Sequence, residues 1–131
     1  MSFCNLKFKS RTVFQNAFYV AWDDTLIELL EWIIDIEMFK TQIVITSAYR
    51  PDRPGRKPSV HGTDPLRGLD LHGKGPEAIK KTDYINKYWE YNSKDPSLQV
   101  AMVHDVGRGE HIHLQVHPNT VIIKGGYNKW P

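Results

Sequence analysis

The strongest hydrophobic pattern in the chain predicts a helix from Thr25 to about Phe39. Two acidic residues precede it, and Thr25 with Glu28 three residues later resembles a capping box. The apolar residues recur at intervals of three and four and share one face: Leu26, Leu29, Leu30, Ile33 and Ile34. Because this face is wide, we expect the helix to pack in the core rather than to bind a partner.

Two further stretches carry helical signals. Thr12 and Gln15 resemble a second capping box, followed by apolar residues at helical spacing up to Ala21. A longer pattern runs from Pro76 to Asn92, with proline at the first helical position, where its missing N–H is not needed. We therefore expect a short helix before the core helix and a longer one after it.

Three segments are typical of strands. Residues 42–47 are short and β-branched, and residues 98–104 and 111–116 form a predicted hairpin around a glycine-bounded turn at 107–109. Because side chains alternate along a strand, the last segment divides into two faces. His111, His113 and Gln115 point to one face, and Ile112, Leu114 and Val116 point to the other.

The segment between Arg50 and Arg67 is rich in proline and glycine and cannot be regular structure. A long irregular segment is uncommon in a compact domain unless it is functional, and this one contains His61. The pattern as a whole predicts one α+β domain over residues 1–131. We expect a small antiparallel sheet that carries a site on one face and has the helices packed on the other.

Composition narrows the function classes. The 131 residues are 40% hydrophobic with a net charge of +2, and the basic residues are spread along the chain, which argues against nucleic acid as a partner. The single cysteine, Cys4, excludes an intramolecular disulfide. The chain has no stretch of eighteen consecutive apolar residues, so the sequence does not predict insertion into a membrane. Residues 1–11 lack the apolar run of a signal peptide. We expect synthesis in the cytoplasm, so an outside substrate would require release or export.

Two separated segments offer metal ligands. Ser59-Val60-His61 runs on to Gly68-Leu69-Asp70, and Glu110-His111-Ile112-His113 follows later. They supply imidazoles and a carboxylate, and three protein ligands around zinc leave a fourth position for water in catalytic sites. The chain is therefore a candidate metallohydrolase.

With Thr46-Ser47-Ala48-Tyr49-Arg50 before them, these motifs resemble the zinc D-alanyl-D-alanine carboxypeptidase family, which includes vancomycin-resistance D,D-peptidases and phage endolysin peptidases. The resemblance covers about half of the chain and implies a D-Ala-D-Ala carboxypeptidase/Hedgehog-like fold. It makes His61, Asp70 and His113 the zinc ligands. His61 and Asp70 stand nine residues apart, two more than is usual in the family, and we expect the loop at residues 63–66 to absorb the difference.

The resemblance also implies roles for four more residues. Glu110 matches the general base, which takes a proton from the attacking water and passes it to the leaving amine. His111 would support the site or the oxyanion. Arg50 would stabilise the oxyanion or hold a substrate carbonyl or carboxylate, and Ser59 would hydrogen-bond the substrate backbone.

Structural alternatives stay open for several of these residues. Arg50 is also compatible with an ordinary surface charge, and Asp70 with a turn cap. His72 could replace a ligand if the longer spacing shifts the register. His104 and His117 are interpreted as structural or exposed.

The sequence predicts a zinc metallopeptidase that hydrolyses peptidoglycan stem peptides containing D-amino acids and acts at the cell wall. The alternative is a metal-binding wall-binding or structural module without turnover. A metal-dependent nuclease is a third possibility, which the even spread of charge disfavours. The bond that is cut and the oligomeric state have no sequence signal.

Overall fold

The computed structural model describes residues 5–105, 107, 109–123 and 130. Cys4 and the central residue of the predicted turn, Arg108, lie outside this part of the chain. The described residues form three α-helices: α1 (Arg11–Ala17), α2 (Asp24–Asp35) and α3 (Gly75–Tyr88). The strands are β1 (Leu6–Phe8), β2 (Ile43–Ser47), β3 (Gly68–Leu71), β4 (Trp89–Glu90), β5 (Ala101–His104), β6 (His111–Gln115) and β7 (Val121–Ile122).

The main sheet has five strands in the order β1-β2-β3-β6-β5, and β4 and β7 form a separate two-stranded pair. The α+β class is confirmed, but the prediction of an antiparallel sheet was wrong. The sheet is mixed because β1 runs parallel to β2, with Leu6 opposite Ile43, whereas the other neighbours in the sheet are antiparallel. The crossover between the two parallel strands contains α1 and α2, as a parallel connection requires.

The two faces of the sheet differ as side-chain alternation predicts. Cross-strand register places Leu69 opposite Leu114, and Leu71 opposite Ile112, and all of these side chains are buried. They belong to one buried cluster with the apolar faces of α2 and α3, including Leu26, Leu29, Leu30, Ile33, Ala78 and Ile85. The polar side chains at the alternate positions of β3 and β6 are thereby left to the opposite face.

Helix boundaries differ from the predicted ones for local reasons. The N-cap of α1 is Ser10, whose hydroxyl accepts the Val13 N–H, so the helix begins before the predicted cap at Thr12. Helix α2 ends at Asp35 instead of near residue 39, because Glu37 has a left-handed backbone with φ of 57°. Helix α3 ends at Tyr88 because the next two residues pair with β7.

Within the described residues, the helices are too short or too polar to cross a bilayer.

Candidate metal centre

Three elements bring His61, Asp70 and His113 together on the polar face of the sheet. Asp70 lies on β3 directly opposite His113 on β6, and His61 lies in a 3₁₀ turn, Val60–Gly62, that precedes β3. All three side chains are buried, with exposed fractions of 3%, 6% and 7% for His61, Asp70 and His113. Their potential ligand atoms lie within 4.8 Å of one another, so the group could hold a metal ion.

Local hydrogen bonds fix the position of the His61 turn. The Ser59 hydroxyl accepts the His61 N–H at 3.1 Å, and the His61 carbonyl accepts the Arg50 N–H at 2.7 Å. The segment that follows is held by another part of the chain, since Leu66 exchanges backbone hydrogen bonds with Ala21 and Asp23. His61 reaches Asp70 across the nine residues that separate them.

The orientation of the His61 ring follows from its hydrogen bonds. Nδ1 lies 2.8 Å from the Ala48 carbonyl oxygen. A carbonyl oxygen can only accept, so Nδ1 carries a hydrogen and donates it. Nε2 then faces Asp70 Oδ1 at 3.1 Å. His61 therefore presents the nitrogen that is free to bind a metal towards the carboxylate.

The distances around Asp70 are short enough for its carboxylate and the two histidines to share one metal ion. Asp70 Oδ1 lies 3.1 Å from His61 Nε2 and 2.9 Å from His113 Nδ1. Ligand atoms about 2.0 Å from a tetrahedral zinc lie about 3.3 Å apart. Two nitrogen atoms and one carboxylate oxygen are also a donor set that zinc accepts. The lone pairs of these nitrogen and oxygen atoms converge, and either hydrogens on the ring nitrogens or a bound metal ion can interact with them favourably.

Asp70 is ionised in this setting. Burial raises the pKa of its carboxyl group, but hydrogen bonds and charge from His113 and His61 outweigh burial and hold the pKa well below the ordinary value. A carboxylate that stays charged at low pH is a competent ligand throughout the neutral range.

Two predicted site residues approach the other carboxylate oxygen of Asp70. Arg50 Nη2 lies 3.9 Å and His111 Nε2 lies 3.6 Å from Asp70 Oδ2. The Arg50 side chain is half exposed. The structure thus brings Arg50 and His111 to one side of the buried group, where a ligand entering from solvent can meet them.

Ser59 and Glu110 are placed differently. The Ser59 hydroxyl accepts the His61 N–H, and its own hydrogen remains available to donate. Glu110 is exposed at the start of β6, and its Oε1 accepts the Gly75 N–H at the beginning of α3 at 3.1 Å. In this conformation Glu110 is directed towards α3 and is separate from the buried group.

The structure adds His104 to the surroundings of the site. Its ring stacks on His111 with centroids 5.3 Å apart and meets His113 edge-on at 5.5 Å. Burial, followed by the neighbouring histidines His113 and His111, lowers the pKa of His104. The alternation of β5 could have revealed this placement, since His104 pairs with His111 across the hairpin.

The other two histidines stay apart from the site. His72 is exposed, with its N–H bonded to the Val44 carbonyl, and does not replace a ligand. His117 accepts the Asn119 N–H through Nδ1 and packs against Tyr91. Its contacts are those of a turn residue.

Comparison with known proteins found no matching family model, no matching curated protein and no matching solved structure.

Proposed function

We propose that this protein is a zinc-dependent hydrolase of peptide bonds in peptidoglycan stem peptides that contain D-amino acids. The observation that carries the proposal is the buried group of His61, Asp70 and His113, whose donor atoms converge at zinc-compatible distances. The resemblance of the motifs from Thr46 to His113 to the zinc D-alanyl-D-alanine carboxypeptidase family supports the substrate class.

His61, Asp70 and His113 would hold the zinc. When bound, zinc supplies a Lewis acid that polarises a substrate carbonyl and lowers the pKa of water to about 7. Asp70 balances part of the positive charge with its ionised carboxylate. The Ala48 carbonyl accepts a hydrogen bond from His61 Nδ1 and so keeps the ring oriented with Nε2 towards the zinc position.

Glu110 is the proposed general base, which takes the proton from the attacking water and returns it to the leaving amine. To do so, its carboxylate has to leave the Gly75 N–H. An exposed hydrogen bond of this kind contributes about 0.5–1.5 kcal/mol net, so breaking it is a small cost. Glu110 stands directly before β6 and alternates with His111, so the backbone at Glu110 also has to turn its side chain to the face of the buried group.

Arg50 and His111 are proposed to stabilise the carbonyl oxygen of the substrate as it gains negative charge. Both approach Asp70 from the side of Oδ2, and a cation or N–H donor beside a developing oxyanion lowers the barrier of acyl transfer. The free hydrogen of the Ser59 hydroxyl is proposed to meet the substrate backbone.

The second candidate function is a metal-binding module of the cell wall that has no turnover. The hydrogen bond between Glu110 and Gly75 favours it, because the Glu110 carboxylate accepts the N–H of Gly75 at the start of α3 and is not among the residues that converge on the metal position. The peptidase proposal places the protein at the cell wall after release or export, and the module shares that location.

Turnover separates the two candidates. Purified stem peptides and intact peptidoglycan fragments are incubated with zinc-loaded wild type, Glu110→Gln and His111→Gln, and new amino groups are quantified by mass spectrometry. The peptidase proposal predicts cleavage by the wild type and a loss of about 100-fold or more with Glu110→Gln at unchanged zinc content. Zinc bound at full occupancy without cleavage of any D-amino-acid peptide would overturn it in favour of the module.

A further inference from the structure

We propose that Gln115 is a positioning residue that selects the tautomer of His113 and so sets the affinity of the site for its metal. Gln115 follows His113 by two residues on β6 and lies on the same face of the sheet. Its Oε1 lies 3.1 Å from His113 Nε2, and its Nε2 lies 2.8 Å from the Gln99 carbonyl oxygen. This inference rests on the metal site of the proposed function but not on its substrate or on turnover.

The Gln99 carbonyl determines which way the Gln115 side-chain amide points. A backbone carbonyl can only accept a hydrogen bond, so the amide must present its NH₂ group to Gln99. The amide oxygen is then the atom that faces His113, and an oxygen can only accept. Nε2 of His113 therefore carries a hydrogen, and in the neutral ring Nδ1 carries the lone pair. The hydrogen bond from Nδ1 to Asp70 in the metal-free protein then requires a second hydrogen on the ring, which a metal ion would displace.

The consequence lies at the metal position. Nδ1 of His113 is the atom 2.9 Å from Asp70 Oδ1, so the lone pair points into the group formed with His61. Without an acceptor beside Nε2, the ring could place its hydrogen on Nδ1 and donate it to Asp70. In that tautomer a hydrogen bond joins His113 Nδ1 to Asp70 Oδ1, so neither atom is free to bind a metal.

The outer ring nitrogens of the two histidines are thus held by equivalent hydrogen bonds. His61 donates from its outer nitrogen to the Ala48 carbonyl, and His113 donates from its outer nitrogen to Gln115. Outer hydrogen bonds of this kind orient the ring and raise the basicity of a ligating histidine, and losing one costs about 10- to 100-fold in metal affinity. The hydrogen bond to Ala48 is made by a backbone carbonyl and cannot be removed by substitution. The hydrogen bond to the Gln115 side chain can be removed in this way.

Two substitutions at this position separate hydrogen bonding from shape. Gln115→Met keeps the length of the side chain but removes the strong acceptor, so we expect zinc affinity to fall by about 10- to 100-fold. Gln115→Glu keeps an acceptor for the Nε2 hydrogen while losing the donor to Gln99, so we expect it to restore affinity to the wild-type level or above. Gln42→Met is the matched control, since Gln42 is exposed next to β2 and apart from the site.

The experiment measures zinc affinity by chelator competition on the metal-free full chain, with Co²⁺ absorption as a second signal of the ligand field. Loss of affinity in Gln115→Met together with rescue in Gln115→Glu, at equal urea stability of the metal-free variants, supports the proposal. Zinc affinity of Gln115→Met within about twofold of the wild type and of Gln42→Met would overturn it, as would a loss that Gln115→Glu does not rescue.

The outcome is independent of hydrolysis. A protein that cleaves stem peptides but binds zinc equally well in Gln115→Met would contradict this inference alone. A protein that cleaves nothing but loses zinc affinity in Gln115→Met would contradict the peptidase proposal alone.

Discussion

Gly68 is packed against Val60 so closely that a β-carbon on Gly68 would lie 2.4 Å from Val60 Cγ2. Through this contact the 3₁₀ turn packs directly against the first residue of β3. His61 follows Val60 in the turn, and Asp70 follows two residues after Gly68 in the strand. The distance between the two side chains therefore depends on a glycine that offers no chemistry of its own.

Gly68→Ala is expected to weaken metal binding by pushing the turn away from β3. Crowding of this kind costs about 1–3 kcal/mol of stability, and displacement of His61 adds a loss of zinc affinity of about 10-fold or more. Zinc titration of the folded variant measures it. Gly73→Ala is the control, because its β-carbon would meet the flexible end of Ile112 away from the site. Equal zinc affinity in the two variants would show that the Val60 contact does not position His61.

Asp70 gives the metal-free protein a defined pH dependence. Its pKa is lower in the folded chain than the value of about 3.9 for an unfolded aspartate. A lowered pKa in the folded chain stabilises the fold fully at pH values above the unfolded pKa. The contribution is lost as the pH falls through the folded pKa. Each unit of depression is worth about 1.4 kcal/mol.

We therefore expect wild type and Asp70→Asn to differ in free energy of unfolding more at about pH 6 than at about pH 2, where the carboxyl group of the unfolded chain is protonated and part of the contribution of Asp70 has been lost. Urea denaturation of metal-free protein at the two values measures this difference. A difference that stays constant with pH, or that grows on acidification, would contradict the ionised Asp70 in the buried group.

His104 is expected to reduce the stability of the fold. Its Nδ1 is buried and has no hydrogen-bond partner in the part of the chain that the structure describes. Replacing an unsatisfied buried polar atom removes a desolvation cost of about 1–3 kcal/mol. His104→Phe keeps a flat ring against His111, so we expect a higher midpoint in urea. A lower midpoint in the metal-free protein would indicate that the His104 ring contributes a favourable polar interaction.

Periodicity was sufficient to predict the elements that form the core. The apolar intervals of α2 and the alternation of β6 depend on neighbours within a few residues, and both elements are present, with the polar and apolar faces of β6 as expected. The proximity of His61, Asp70 and His113 was implied by the family resemblance, and the structure confirms a group that could hold a metal.

Elements that depend on distant partners were missed. The strand β3 is four residues long and starts with glycine, so it has no alternating pattern of its own and exists through pairing with β2 and β6. The short β1 likewise depends on a parallel neighbour. The contact between Glu110 and Gly75 spans 35 residues of sequence, and local spacing carries no information about it.

The central claim is that His61, Asp70 and His113 bind a metal ion, and zinc titration of the full chain tests it most directly. Equilibrium dialysis followed by metal analysis compares wild type with His61→Ala, His113→Ala and the exposed control His72→Ala. We predict stoichiometric zinc in the wild type and in His72→Ala, and binding weaker by about 100-fold or more in the other two, because two protein ligands remain where three are needed. Zinc content that is unchanged in His61→Ala, or a wild-type protein that binds no zinc, would contradict the account.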